Sequence, residues 1–260
     1  MLTAYDYPLA KIMDESGVDI ILVGDSLANV VLGLESTKEV GMDVMIHHAK
    51  AVNRAVKNAM LVGDMPYDAY QTDKHEAVKN AQRFVTEAGC DAVKIEWFDQ
   101  CLDVAQKIIA SGIPVMGHVG LTPQSVESPD GFKVQGQEAN AALTILRRAK
   151  EIQKVGCFSI VLECIPSQLA DLITKNLLIP TIGIGAGCAC DGQVLVTNDL
   201  LGLHQHHQPK FVKPFVPLSD YILQGVKKYL EEVQAGIFPD KAHSYFMKPE
   251  EWEKLNKWKD

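Results

Sequence analysis

Four acidic residues, Asp25, Asp64, Glu96 and Glu163, each follow an apolar run rich in Val, Ile and Leu. Leu22-Val23-Gly24-Asp25 recurs as Leu61-Val62-Gly63-Asp64. In both, a strand-like run ends on Gly, which permits close backbone approach, and then on Asp. Such an Asp either caps the turn or helix that follows or stands at a strand end where chemistry is done. A third run reads Val93-Lys94-Ile95-Glu96. Residues two apart share one face of a strand, so Lys94 and Glu96 point the same way. Two charges on an inward face are costly unless paired or ligated. They form a structural ion pair, or Glu96 serves a metal and Lys94 an anionic ligand.

The run Val161-Leu162-Glu163-Cys164 leaves one carboxylate in a partly desolvated position. Desolvation raises a carboxyl pKa toward the range of a general base; a salt-bridged Glu is the plain alternative. His118 follows the run 113–117 and is expected at a strand end. It would orient substrate, support a metal ligand by hydrogen bonding, or simply be a satisfied buried His. An all-oxygen set of two Asp and one Glu suits Mg2+ better than Zn2+. It also leaves coordination positions open for substrate, as Lewis-acid catalysis needs.

Something must hold these residues at one place. Apolar runs are expected as strands at 2–5, 20–24, 60–63, 92–95, 113–117, 158–162, 180–184 and 211–215. Several are apolar on both faces, as in a parallel sheet covered on both sides. Helical periodicity falls between them, at 9–16, 40–57, 74–88, 100–110, 138–155, 167–176, 192–201 and 218–234. Gly17, Gly89, Gly112 and Gly156 sit where left-handed C-caps are needed. Eight strands alternating with eight helices predict an α/β fold, a single (β/α)8 TIM barrel; a doubly wound sheet is the rival. The catalytic barrel is expected over residues 1–240. Residues 241–260, polar with Trp252 and Trp258 widely spaced, are expected to be a C-terminal surface or interface extension.

The chain of 260 residues is 47% apolar, enough for one large core, and carries a net charge of −8. An acidic chain repels phosphate backbones, so nucleic acid is not an expected partner. No 18-residue apolar run or basic-then-apolar leader occurs, which predicts a soluble cytoplasmic protein without membrane contact. The six cysteines form no C-x-x-C pair and are expected as reduced thiols. The loop 183–187 (Gly-Ile-Gly-Ala-Gly) lacks dinucleotide-fingerprint spacing and is expected to line the pocket. His204, His206 and His207 lie in a polar stretch expected as surface loop. His47 and His48 fall in a helix, and Cys188 and Cys190 lack metal spacing.

In order along residues 2–245, further stretches carry a family resemblance. They are Leu2-Thr3-Ala4-Tyr5-Asp6-Tyr7, Val23-Gly24-Asp25-Ser26-Leu27, Val93-Lys94-Ile95-Glu96 and Gly117-His118-Val119-Gly120-Leu121-Thr122-Pro123-Gln124-Ser125. Phe132-Lys133-Val134-Gln135-Gly136, Leu162-Glu163-Cys164-Ile165-Pro166, residues 182–187 with Asp191-Gly192-Gln193, and His243-Ser244 complete the set. The chain resembles the ketopantoate hydroxymethyltransferases. The resemblance implies Mg2+ at Asp25, Asp64 and Glu96, and binding of a 2-oxo acid by Asp25, Ser26, Asp64 and Lys94. It implies Glu163 as proton acceptor and 5,10-methylenetetrahydrofolate as one-carbon donor. It further implies cytoplasmic barrels assembled as large homo-oligomers, typically decamers. Chains of that family usually carry residues before the first strand that cover the barrel bottom. Here Met1 directly precedes Leu2, a departure that bears on that plug and on any assembly contact it makes. A Mg2+-dependent lyase or mutase of the phosphoenolpyruvate mutase or isocitrate lyase type, and a barrel that only binds, are the alternative readings.

Overall fold

The computed structural model describes residues 1–71, 73–125, 133–203 and 209–258. His204, His206, His207 and Phe132 lie outside them. Eight parallel strands are hydrogen-bonded in sequence order: β1 (Leu2–Thr3), β2 (Ile20–Val23), β3 (Met60–Asp64), β4 (Ala92–Lys94), β5 (Val115–Gly120), β6 (Ser159–Glu163), β7 (Thr181–Ile184) and β8 (Gly192–Gln193). The sheet curls until its ends meet. Leu2 bridges Leu195 in parallel, and the Thr197 N–H donates to Thr3 Oγ1 at 3.0 Å. The fold is the expected (β/α)8 barrel.

Strand alternation separates two cores. Leu22, Val62, Ala92, Met116, Val161, Ile182 and Val194 point inward and fill the barrel. Ile21, Leu61, Val93, Val115 and Ile160 point outward, into a larger core shared with the helices. Those helices are α1 (Tyr7–Glu15), α2 (Leu27–Val30), α3 (Met42–Asn53), α4 (Lys74–Thr86), α5 (Cys101–Ala110), α6 (Ala139–Val155) and α7 (Ser167–Asn176). Each long one buries a stripe at helical spacing, such as Ala77, Ala81 and Phe84 of α4 or Ile145, Ala149 and Ile152 of α6. All four expected C-cap glycines have positive φ, from 74° at Gly89 to 104° at Gly156.

The last quarter of the barrel departs from expectation. Residues 211–215 are not a strand; β8 is Gly192–Gln193, inside the segment expected to be a helix. That helix shrinks to α8 (Thr197–Leu200). The reason is local chemistry. Pro214 interrupts the later apolar run and Pro209 and Pro217 flank it, and prolines cannot donate to a ladder. The Asp191 carboxylate accepts from the Thr181 N–H at 2.8 Å and so ties the residue before β8 to the start of β7. No helix separates β7 from β8 among the described residues.

Beyond the barrel run α9 (Leu218–Gln234) and α10 (Pro249–Asn256). The bounds of α9 match the expected helix, but none of its residues is buried. No described helix is long and apolar enough to cross a membrane. All six cysteines are free. His48, in α3, places Nδ1 2.7 Å from the Tyr5 carbonyl, a structural role.

Candidate active site

The acidic residues stand at the C-terminal mouth because they share the inward parity of the inner core. Asp64 is two residues beyond Val62, Lys94 and Glu96 are two and four beyond Ala92, His118 is two beyond Met116, and Glu163 is two beyond Val161. Asp25 reaches the same place from the turn after β2. They line a cavity of about 350 Å3 with Ser26, under apolar walls that include Leu22, Val30, Val161, Ile184 and Phe211. Of the glycine-rich loop, Ile184 reaches that wall. His118 is not at a strand end, because β5 continues to Gly120.

Two glycines make the geometry possible. A Cβ on Gly63 would lie 2.3 Å from the buried Phe84 ring of α4. At Gly120, with φ +100°, a Cβ would lie 2.2 Å from the Glu163 carbonyl. The backbone at the mouth therefore closes to contact where Asp64 and Glu163 emerge.

Charge is concentrated and dry. Asp64, Lys94, Glu96 and His118 are each 5% exposed or less. Lys94 Nζ donates to Asp64 Oδ1 at 2.7 Å and lies 4.0 Å from Glu96 Oε1. The second Asp64 oxygen accepts from the Asp25 N–H at 3.2 Å. Burial pushes Asp64 up to about 7 against the pull of Lys94, and the Asp25 charge pushes the same way. Burial likewise lifts Glu96 well above the usual carboxylate range. Burial works against the Lys94 charge, yet Asp64, Glu96 and Asp25 together hold its pKa above the ordinary value.

His118 stands between the carboxylates of Glu96 and Glu163. Nδ1 is 3.6 Å from Glu96 Oε1 and Nε2 is 3.3 Å from Glu163 Oε2. Neither contact has hydrogen-bond geometry, and both ring nitrogens lack a partner. Burial lowers its pKa, so the neutral ring is favoured. Ser26 Oγ lies 2.9 Å from the Tyr5 hydroxyl, which anchors it at the mouth.

Residues 1–241 match the family model for ketopantoate hydroxymethyltransferase. The chain belongs to the ketopantoate hydroxymethyltransferase family. It is accordingly a transferase. A 3-methyl-2-oxobutanoate hydroxymethyltransferase of Syntrophomonas wolfei subsp. wolfei is 53% identical over 255 residues, covering 98% of this chain and 92% of that one. One of Syntrophus aciditrophicus is 55% identical over 245 residues, 94% of this chain and 90% of that one. Solved structures share the fold at much lower identity. A phosphoenolpyruvate phosphomutase from Streptomyces platensis subsp. rosaceus superposes with a TM-score of 0.61 at 13% identity, over 98% of this chain and 92% of that chain. A phosphonopyruvate hydrolase complexed with oxalate and Mg2+ gives 0.57 at 12% identity, over 98% and 88%. At that identity the likeness is one of fold.

The ketopantoate hydroxymethyltransferase site also contains two residues that charge and spacing did not single out. Gln124 follows β5 and is fully buried; Tyr70 follows β3 and is 1% exposed. Both are neutral, so neither leaves the signature of a charge at a strand end. The one clue in the sequence is a polar Gln directly after Leu121-Thr122-Pro123, where a strand gives way to a buried turn.

Proposed function

We propose that the chain transfers a hydroxymethyl group from 5,10-methylenetetrahydrofolate to 3-methyl-2-oxobutanoate, giving 2-dehydropantoate for pantothenate and coenzyme A biosynthesis in the cytoplasm. The observation that carries this reading is the opening of Glu163, Lys94 and three further carboxylates onto one cavity. The side chain of Glu163 is 17% exposed, whereas those of Lys94, Asp64 and Glu96 are nearly sealed. A base must reach substrate, and groups that hold charge need to be dry.

Asp25, Asp64 and Glu96 suit Mg2+. They are hard oxygen donors, and burial raises the pKa values of Asp64 and Glu96 despite the pull of the one buried ammonium, with the neighbouring carboxylates adding to the rise. No three His, Cys, Asp or Glu among the described residues converge tightly enough to ligate one ion by themselves. Mg2+ commonly uses one or two carboxylates and keeps water and substrate oxygens. Once bound, Mg2+ would polarise the oxygens of a 2-oxo acid and stabilise negative charge developing there.

The protein residues do the rest. Lys94 holds the substrate carboxylate, and Ser26 and Asp25 orient it. Glu163 takes the C3 proton, so the electron pair of that C–H bond passes into the enolate. Water adds to the methylene carbon of the folate, both C–N bonds break, and tetrahydrofolate leaves with that water's two protons on its nitrogens. C3 then bonds to the carbon of the formaldehyde so released, and its oxygen takes the proton held by Glu163 to become the product hydroxyl. Neutral His118, beside both Glu96 and Glu163, adds no positive charge that would neutralise the base. The test is product formation by the purified chain. 2-Dehydropantoate must appear only with both the 2-oxo acid and the methylene folate; turnover of phosphoenolpyruvate or isocitrate in their place would favour a lyase or mutase instead.

The chain is also proposed to act as a large homo-oligomer. Ile222, Val226, Tyr229, Leu230 and Val233 form an apolar stripe along α9, each 43% exposed or more. A stripe of that spacing is built to pack, and a second copy is the occupant proposed. Val226→Asp with Leu230→Asp lowers the mass seen by light scattering; an unchanged mass removes α9 from the contact.

A further inference from the structure

Gln124 lies in the short turn Pro123–Ser125 after β5, with no exposed surface. Its side chain meets two other loops of the mouth, those that follow β2 and β3. Nε2 donates to Asp25 Oδ2 at 3.0 Å and to the Met65 carbonyl at 2.9 Å. Oε1 accepts from the Tyr70 hydroxyl at 2.5 Å. Its backbone N–H donates to Glu96 Oε2 at 3.1 Å. One residue thus bonds both carboxylates.

The orientation of the amide is dictated by its neighbours. The Tyr70 oxygen accepts from the Glu96 N–H at 3.1 Å and from Gln71 Nε2 at 3.3 Å. Both are donors, so the phenol has one proton to give and Gln124 to receive it. The atom that receives it must be the carbonyl oxygen. The nitrogen is thereby turned to Asp25 and Met65, which both present acceptors. A side chain that only filled this space would need neither atom; Met has nearly the same shape.

We propose that Gln124, turned by Tyr70, is a positioning residue that holds the carboxylates of Asp25 and Glu96 at the separation at which they receive a divalent cation. The inference rests on reading those carboxylates as the metal site. Fixed partners of this kind commonly contribute about 10–100-fold to metal affinity. They do so by sparing the ion the ordering of its own ligands.

Mn2+ titrated into the purified chain and followed by electron paramagnetic resonance reads the site without turnover. Tyr70→Phe removes one oxygen and keeps the ring, so it frees the amide with little change in packing. It is expected to weaken Mn2+ by about tenfold, and Gln124→Met by about 10–100-fold. In both, the bound-Mn2+ spectrum broadens, because the carboxylates take several arrangements. Melting temperatures show which variants are folded; if Gln124→Met is not, Tyr70→Phe carries the test. Wild-type affinity and linewidth in folded Tyr70→Phe overturn the inference. Asp25→Asn and Glu96→Gln separate the two readings. Loss of Mn2+ in those two but not in the Gln124 and Tyr70 variants refutes positioning alone. Unchanged affinity in all four removes the metal site, and this inference with it.

Discussion

Lys94 and Asp64 face each other in register across β3 and β4, with Nζ 2.7 Å from Oδ1. The pair is buried, so each partner is costly without the other. Lys94→Met is expected to destabilise the fold by about 3–5 kcal/mol, less whatever protonation of Asp64 recovers. Adding Asp64→Asn removes the stranded carboxylate and restores much of that loss. Binding of the 2-oxo acid does not return, because no ammonium faces its carboxylate. Urea denaturation and calorimetric titration of 3-methyl-2-oxobutanoate check the two halves. Recovery of binding in the double variant would contradict the role given to Lys94.

Glu163 sits at the end of β6, with the neutral ring of His118 3.3 Å from its carboxylate. Glu163→Gln keeps the shape and removes the base. Exchange of the C3 proton of 3-methyl-2-oxobutanoate for deuterium, followed by NMR, is expected to fall by about 10²–10⁴-fold. Mg2+-dependent binding of the same acid should persist. Wild-type exchange in this variant would require another base.

The raised acids give stability a pH dependence. Asp64 has an ordinary pKa of 3.8 and a folded value of about 7. Between those values the unfolded chain releases a proton that the folded chain retains. Stability therefore falls as pH rises through that window, and Glu96 acts in the same direction. In metal-free protein, this contribution appears as a difference between wild type and Asp64→Asn/Glu96→Gln. Wild type should lose stability relative to the variant from about pH 4 to about pH 7. Saturating Mg2+ should flatten the difference, because a cation favours the ionised carboxylates. Denaturation midpoints across that range decide it; parallel curves would show that burial does not hold these protons.

Strand parity made most of the site legible. Once β3, β4 and β6 are placed by their Val- and Ile-rich runs, Asp64, Lys94, Glu96 and Glu163 must face inward, whatever the helices do. The end of the barrel was less legible, because β8 comprises only Gly192–Gln193 and carries no hydrophobic signal. Its position is set by a side chain, Asp191, bonding back to Thr181, whereas the louder run at 211–215 is broken by Pro214. The Tyr70–Gln124 link joins residues 54 apart. Neither is charged or periodic, and only the closing of the barrel brings them together.

Gly63 tests how tightly that closing constrains the site. A Cβ there meets the Phe84 ring at 2.3 Å, and Phe84 is fully buried, so the ring has no open side to move into. Gly63→Ala is expected to cost about 1–3 kcal/mol. It should also displace Asp64, the next residue, and so weaken the 2-oxo acid more than any loss of folded protein explains. Adding Phe84→Leu makes room for the methyl group and should return part of both losses, since contacting residues couple. Urea denaturation with substrate titration on the same samples measures them together. Additive losses in the double variant would mean that the ring is not what holds the β3 backbone at the mouth.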